Sequence, residues 1–129
     1  MRTELYLVKE ALAVGKAMGV QRVDLPGFSV RLFSQAIERL PVQLLVPPIA
    51  RKMKSARGDK LPSLFYDLED PSRGSEIDAM NGAIASQGEK LQVATPKNEA
   101  LTYLFHRCRE DHDLWLAIRE QPRLLMDYV

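Results

Sequence analysis

One hydroxyl and three carboxylates stand within sixteen residues of one another near the middle of the chain: Ser63, Asp67, Glu76 and Asp78. Pro62 suits the first turn of a short helix, SLFYDLE, which puts Ser63 at its start. Ser75, with Asp78 three residues on, resembles a capping box and puts Glu76 in the first turn of the next helix. A hydroxyl and a carboxylate at helix starts, beside backbone N–H groups with no intrahelical partner, suit a small polar anionic ligand. Helix capping and first-turn acids account for the same four positions without any ligand. Residue type alone leaves both readings open.

Three other features have the right residue types for chemistry. His106, Cys108 and His112 include one pair with helical spacing, Cys108 and His112. His106 falls about 200° around the helix from Cys108, and a closed zinc site needs four ligands. The expectation is a buried thiol beside two surface histidines, with no metal. The run RKMKSARGDK carries five basic residues against one acid. It lacks interleaved aromatics, and cations near a helix C-terminus explain it, so no nucleic-acid partner is expected. Gly15-x-x-x-Gly19 would permit close helix approach. The seven glycines form neither G-x-G-x-x-G nor a phosphate-binding P-loop.

The elements that would position these residues read as helices throughout. Leu5, Val8, Leu12 and Met18 make one stripe, and Gly19 follows as a stop. Pro26-Gly27 breaks a linker, and Ser29 caps a helix carrying Val30, Phe33, Ile37 and Leu40, which Pro41 ends. Pro47-Pro48 can start a helix but not sit inside one, which predicts a bent helical pair over 42–57. Ile77, Met80, Ile84 and Leu91 form the stripe after Ser75. Thr95-Pro96 predicts a capping hydroxyl with proline at the first helical position, ahead of a buried face of Leu101, Leu104, Phe105 and Cys108. Two short helices separated by Pro122 close the chain. No alternating window is long enough to predict a strand, and the fold class expected is all-α.

The whole chain sets the frame. Its 129 residues suit one domain over 1–129 and argue against two independent cores. Hydrophobic residues make up 46% and the formal net charge is +1, which gives no global attraction to polyanions. A single cysteine forms no intramolecular disulfide, and no apolar run is long enough to span a bilayer. With no signal-peptide core in the first ten residues, a cytoplasmic protein without a membrane partner is expected.

Residues 60–104 carry a more specific pattern. Ser63-Leu64, Asp67, Arg73-Gly74, Ser75-Glu76-Ile77-Asp78, Asn81-Gly82 and Thr95-Pro96-Lys97-Asn98 follow in order. Together they resemble the C-terminal domain of the ketopantoate reductase (2-dehydropantoate 2-reductase) family. Residues 4–19 are similar to the family helix that precedes this region, and 24–58 to the longer connection of one subgroup. The resemblance implies a helical bundle like that of the 6-phosphogluconate dehydrogenase-like reductases. It also implies the substrate domain of an NADPH-dependent 2-oxo acid reductase of pantothenate biosynthesis. In that setting Ser63 would bind the substrate carboxylate and Glu76 would contact the substrate hydroxyl region. Asp78 and Asn81 would hold turn and helix together.

The family's Rossmann domain and general-acid lysine lie ahead of the matching region. The expectation is therefore that these residues alone catalyse nothing and bind no NADPH by themselves. An uncovered apolar seam, with the Leu5/Val8/Leu12 face or LPVQLLVPPI in contact, would favour a homo-oligomer. The competing expectation is a stand-alone, non-catalytic helical interaction module.

Overall fold

The first helix, α1 (Arg2–Ala17), buries Leu5 and Val14 and stops where Gly19 takes a φ of 73°. In this computed structural model the described residues are 2–57, 63–70, 72 and 74–129, with backbone alone for 53–57, 63, 126 and 127. The chain then runs through a linker held by its own polar groups. Leu25 and Phe28 exchange two backbone hydrogen bonds of 3.0 Å around Pro26-Gly27. Gly27 has a φ of 75°, the conformation that the third position of such a turn requires. Asp24 Oδ1 accepts from the Arg31 amide at 2.9 Å, and Arg22 makes a two-pronged pair with Glu38.

Helix α2 (Val30–Arg39) starts as expected, with Ser29 Oγ accepting from the Leu32 amide, and ends ahead of Pro41. Helix α3 (Val42–Arg57) corrects the expectation of a bent pair: Pro47 and Pro48 sit inside one helix. The carbonyls that lose their donors are those of Gln43 and Leu44, both on exposed residues that water can reach. Helix α4 (Ser63–Glu69) follows the predicted span.

Five residues of π-helix, Asp78–Gly82, lead into α5 (Ala83–Leu91). Helices α6 (Pro96–Glu110) and α7 (His112–Glu120) come next, the latter capped by Asp111. A 3₁₀ turn at Pro122–Leu124 leads into α8 (Leu125–Tyr128). Among the described residues there is one isolated bridge, Leu25–Phe28, and no strand. The fold is all-α.

Burial corrects several stripes. Val8, Met18, Leu40 and Met80 are exposed, whereas Leu5, Ile37, Ile77 and Leu104 are buried. Leu5 is therefore spent inside the molecule and presents no outer face. Gly15 and Gly19 bring no helix close. Among the described glycines the tight one is Gly88, where a Cβ would stand 2.7 Å from both Thr95 Cγ2 and the Val93 carbonyl oxygen.

Among the described residues, most buried apolar side chains fall into two clusters. The first joins Leu5 to Ile37, Val42 and Leu45 across α1, α2 and α3. The second joins Leu104, Cys108, Trp115, Ile118 and Val129, with Phe65 and Leu68 of α4 packed on it. Helix α1 packs on α2 and α3 and also on α5 and α6, so it links the two.

Candidate functional site

The link between α1 and α6 is polar. Pro96 begins α6 as predicted, but Thr95 makes no side-chain cap; its hydroxyl donates to Glu99 Oε1 at 2.8 Å. The orphan amides of Lys97 and Asn98 instead reach Glu10 of α1, each at 2.9 Å. A carboxylate is well suited to that task, because helix N-termini favour negative charge. Asn98 is fully buried and its amide group is completely used. Its Nδ2 donates to Glu10 Oε2 at 2.6 Å and to the Leu7 carbonyl at 3.2 Å, while its Oδ1 accepts from Asn81 Nδ2 at 2.9 Å. Asn81 lies in the π turn, so one asparagine ties three segments together.

The residues leading into that turn are organised locally. Asp70 Oδ1 accepts from the Ser72 amide at 3.1 Å, closing an Asx turn after α4. Ser75 Oγ accepts from the Ile77 amide at 3.2 Å, one residue nearer than a capping box would place it. Asp78 does not reach back to complete such a box. Its Oδ1 instead accepts from His106 Nε2 of α6 at 2.9 Å. Ile77 is fully buried and anchors the turn, while the wider π winding leaves Met80 outside the expected stripe.

The four residues singled out by sequence thus separate. Asp67 is buried in α4, and Asp78 is engaged by His106. Glu76 is exposed; its backbone carbonyl accepts from the Met80 amide at 2.9 Å, and no partner holds its carboxylate among the described residues. Ser63 opens α4, and its side chain lies outside the described residues. Pro62 and Arg73 also lie outside them.

Sequence reasoning missed Glu10 and the Asn98/Thr102/His106 row. Glu10 leaves no local signal, because its partners are about ninety residues away in sequence and meet it only through packing. Asn98, Thr102 and His106 do stand four apart, but Lys97, Glu99, Arg107 and Arg109 on the same helix leave that spacing without a distinct signal.

The other chemical suspects have ordinary surroundings. Burial pushes the Cys108 thiol above its ordinary range, which keeps it protonated and unreactive. His112 is exposed at the start of α7. Among the described residues no three His, Cys, Asp or Glu side chains are grouped to hold a metal ion. Lys52 stacks 5.2 Å over the Phe28 ring, and Arg51 is exposed; the rest of the basic run is not described at side-chain level.

An apolar cavity of about 480 Å³ opens between α4, α6 and α7, lined by Phe65, Leu68, Leu104, Trp115 and Ile118 with Arg119 at its edge. Trp115 Nε1 and Arg119 both donate to Glu69 there. Glu76 is not among the residues lining it. Among the described residues no helix is long and apolar enough to cross a membrane.

Comparison with known sequences identifies the family. The sequence pattern of the family described as "Ketopantoate reductase PanE/ApbA C terminal" matches residues 2–109. The chain is 43% identical over 56 residues to the 2-dehydropantoate 2-reductase of Lactococcus lactis subsp. lactis (strain IL1403), covering 43% of this chain and 18% of that protein. It is 44% identical over 45 residues to the 2-dehydropantoate 2-reductase of Streptococcus pyogenes serotype M1, covering 35% of this chain and 15% of that protein. The matched stretch is thus less than a fifth of the length of these relatives. No solved structure matches the chain. The family match runs from the start of α1 almost to the end of α6 and takes in the Glu10, Asn81 and Asn98 network, so the chain belongs to the ketopantoate reductase C-terminal domain family.

Proposed function

We propose that this chain is the substrate-binding domain of a cytoplasmic, NADPH-dependent 2-oxo acid reductase resembling 2-dehydropantoate 2-reductase, an enzyme of pantothenate biosynthesis. The observation that carries the reading is Glu76: an exposed carboxylate with no partner among the described residues, on a turn fastened to α6 by its two neighbours Asp78 and Asn81. A carboxylate kept available on a rigid support is suited to accept a hydrogen bond from a ligand hydroxyl. The Ser63 hydroxyl, at the start of α4, is the group suited to donate to the ligand carboxylate.

Reduction of a 2-oxo acid also needs a hydride donor and a proton donor to the developing alkoxide. NADPH supplies the hydride when bound. The glycines of this chain form no dinucleotide-binding loop, so the residues here do not fit that cofactor and its site is assigned to a Rossmann domain. This domain then binds and orients, and the isolated chain should oxidise no NADPH. The same reading makes the protein a homo-oligomer. Leu32, Leu40 and Leu44, exposed around the α2–α3 hairpin, supply the apolar surface for self-contact.

The test is steady-state kinetics of the reductase containing this domain. Ser63→Ala and Glu76→Ala should each lower kcat/KM for a branched 2-oxo acid about tenfold or more, equivalent to roughly 1.4 kcal/mol of lost contact. Unchanged kinetics in both would reduce the two residues to helix-start residues and overturn the reading.

A further inference from the structure

Asn98, Thr102 and His106 follow one another at intervals of four along α6 and make a single row on its surface. The row faces the π turn. Asn98 meets Asn81, Thr102 Cγ2 lies 3.6 Å from where a Cβ on Gly82 would stand, and His106 meets Asp78. Two of the three have other duties. Asn98 is buried and joins α6 to α1, and the Thr102 hydroxyl donates to the Asn98 carbonyl at 2.8 Å.

His106 is different. Its side chain is 45% exposed and that of Asp78 is 67% exposed, so burial does not require the pair. Exposed pairs of this kind contribute little to stability. What the pair does is geometric. Asn81 and Gly82 hold the C-terminal end of the π turn against α6, and His106 holds its N-terminal end. Glu76 stands two residues before Asp78, and its carbonyl accepts from the Met80 amide inside the same winding. A π turn is an irregular insertion in a helix, and its register depends on what surrounds it.

We propose that His106 is a positioning residue for Glu76. By accepting the His106 Nε2–H, Asp78 fixes the first residues of the π turn and hence the direction in which the Glu76 carboxylate is presented. The inference rests on the reading of Glu76 as the ligand's hydroxyl acceptor, and goes beyond it by naming what aims that group.

The experiment combines amide hydrogen exchange on the chain with kinetics on the reductase containing it. His106→Ala should speed exchange of the amides from Ile77 to Gly82 by about two- to fivefold, with α1 to α3 unchanged. In the reductase it should raise KM for the 2-oxo acid several-fold, leaving kcat and the KM for NADPH unaltered. His106→Gln keeps a side-chain N–H and should restore both readouts, and His112→Ala should change neither. Unaltered exchange in the turn would overturn the inference. So would an unaltered KM in His106→Ala alongside a raised KM in Glu76→Ala. If Glu76→Ala itself leaves KM untouched, the substrate reading has failed and the positioning role falls with it, a result distinct from the failure of the clamp alone.

Discussion

Glu10 accepts from three N–H groups of α6, two from the backbone and one from the Asn98 side chain. Removing an acceptor that serves buried donors costs the desolvation of each donor left behind. Glu10→Ala should therefore lower the unfolding free energy by about 2–3 kcal/mol, read from urea denaturation. A loss below half a kcal/mol would mean that water replaces the carboxylate. A second carboxylate reports by acidity. The Arg22 guanidinium bonded to Glu38 holds that carboxyl below its ordinary value, so the folded state is favoured above the ordinary carboxylate range and the benefit fades as pH falls through the lowered value. Between about pH 6 and pH 3 the parent should lose more stability than Arg22→Ala, in which only the weaker pull of Lys16 and Arg39 still lowers Glu38.

Among the elements, helix limits were largely legible because their signals are local: Ser29, Pro41, Gly19 and Pro96 act within a few residues of themselves. Three features were not. The α3 prolines continue a helix where the residues whose carbonyls they strand are exposed, which is a tertiary fact. The cap of α6 arrives from α1. The π turn depends on Asp78 and Asn81 finding partners on α6, and no spacing within 75–91 reveals that. The packing of α5 against the start of α6 yields its own prediction. Gly88→Ala would drive a methyl into Thr95 and the Val93 carbonyl, two contacts of 2.7 Å that include backbone. It should destabilise the fold by about 1–3 kcal/mol in thermal or urea melts, and a neutral result would show that the α5–α6 corner can open.

In the molecule as a whole, two apolar clusters meet across a polar junction built from Glu10, Asn98 and Asn81. The all-α class and the family resemblance were both readable from the chain, since periodicity and an ordered set of motif residues do not require tertiary knowledge. The division of labour within the motif was readable in part: Asp78 and Asn81 hold the turn to a helix as the resemblance implied, but their partners His106 and Asn98 were not foreseen. Asn81 and Asn98 prove to be connectors, and Asp78 a partner of His106, while Glu76 alone of the acidic group is left available. The exposed leucines at positions 32, 40 and 44 carry the proposal of self-association. Light scattering at tens of micromolar should give a mass above that of one chain, and a monomeric mass would reject it.

The most direct measurement is an NMR titration of the isotopically labelled protein with 2-dehydropantoate. The account predicts amide shifts concentrated at the start of α4 and from Ser75 to Gly82, weakened together by Glu76→Ala. Shifts gathered instead around Trp115 and Ile118 in the apolar cavity, or none with Rossmann domain and NADPH present, would contradict it.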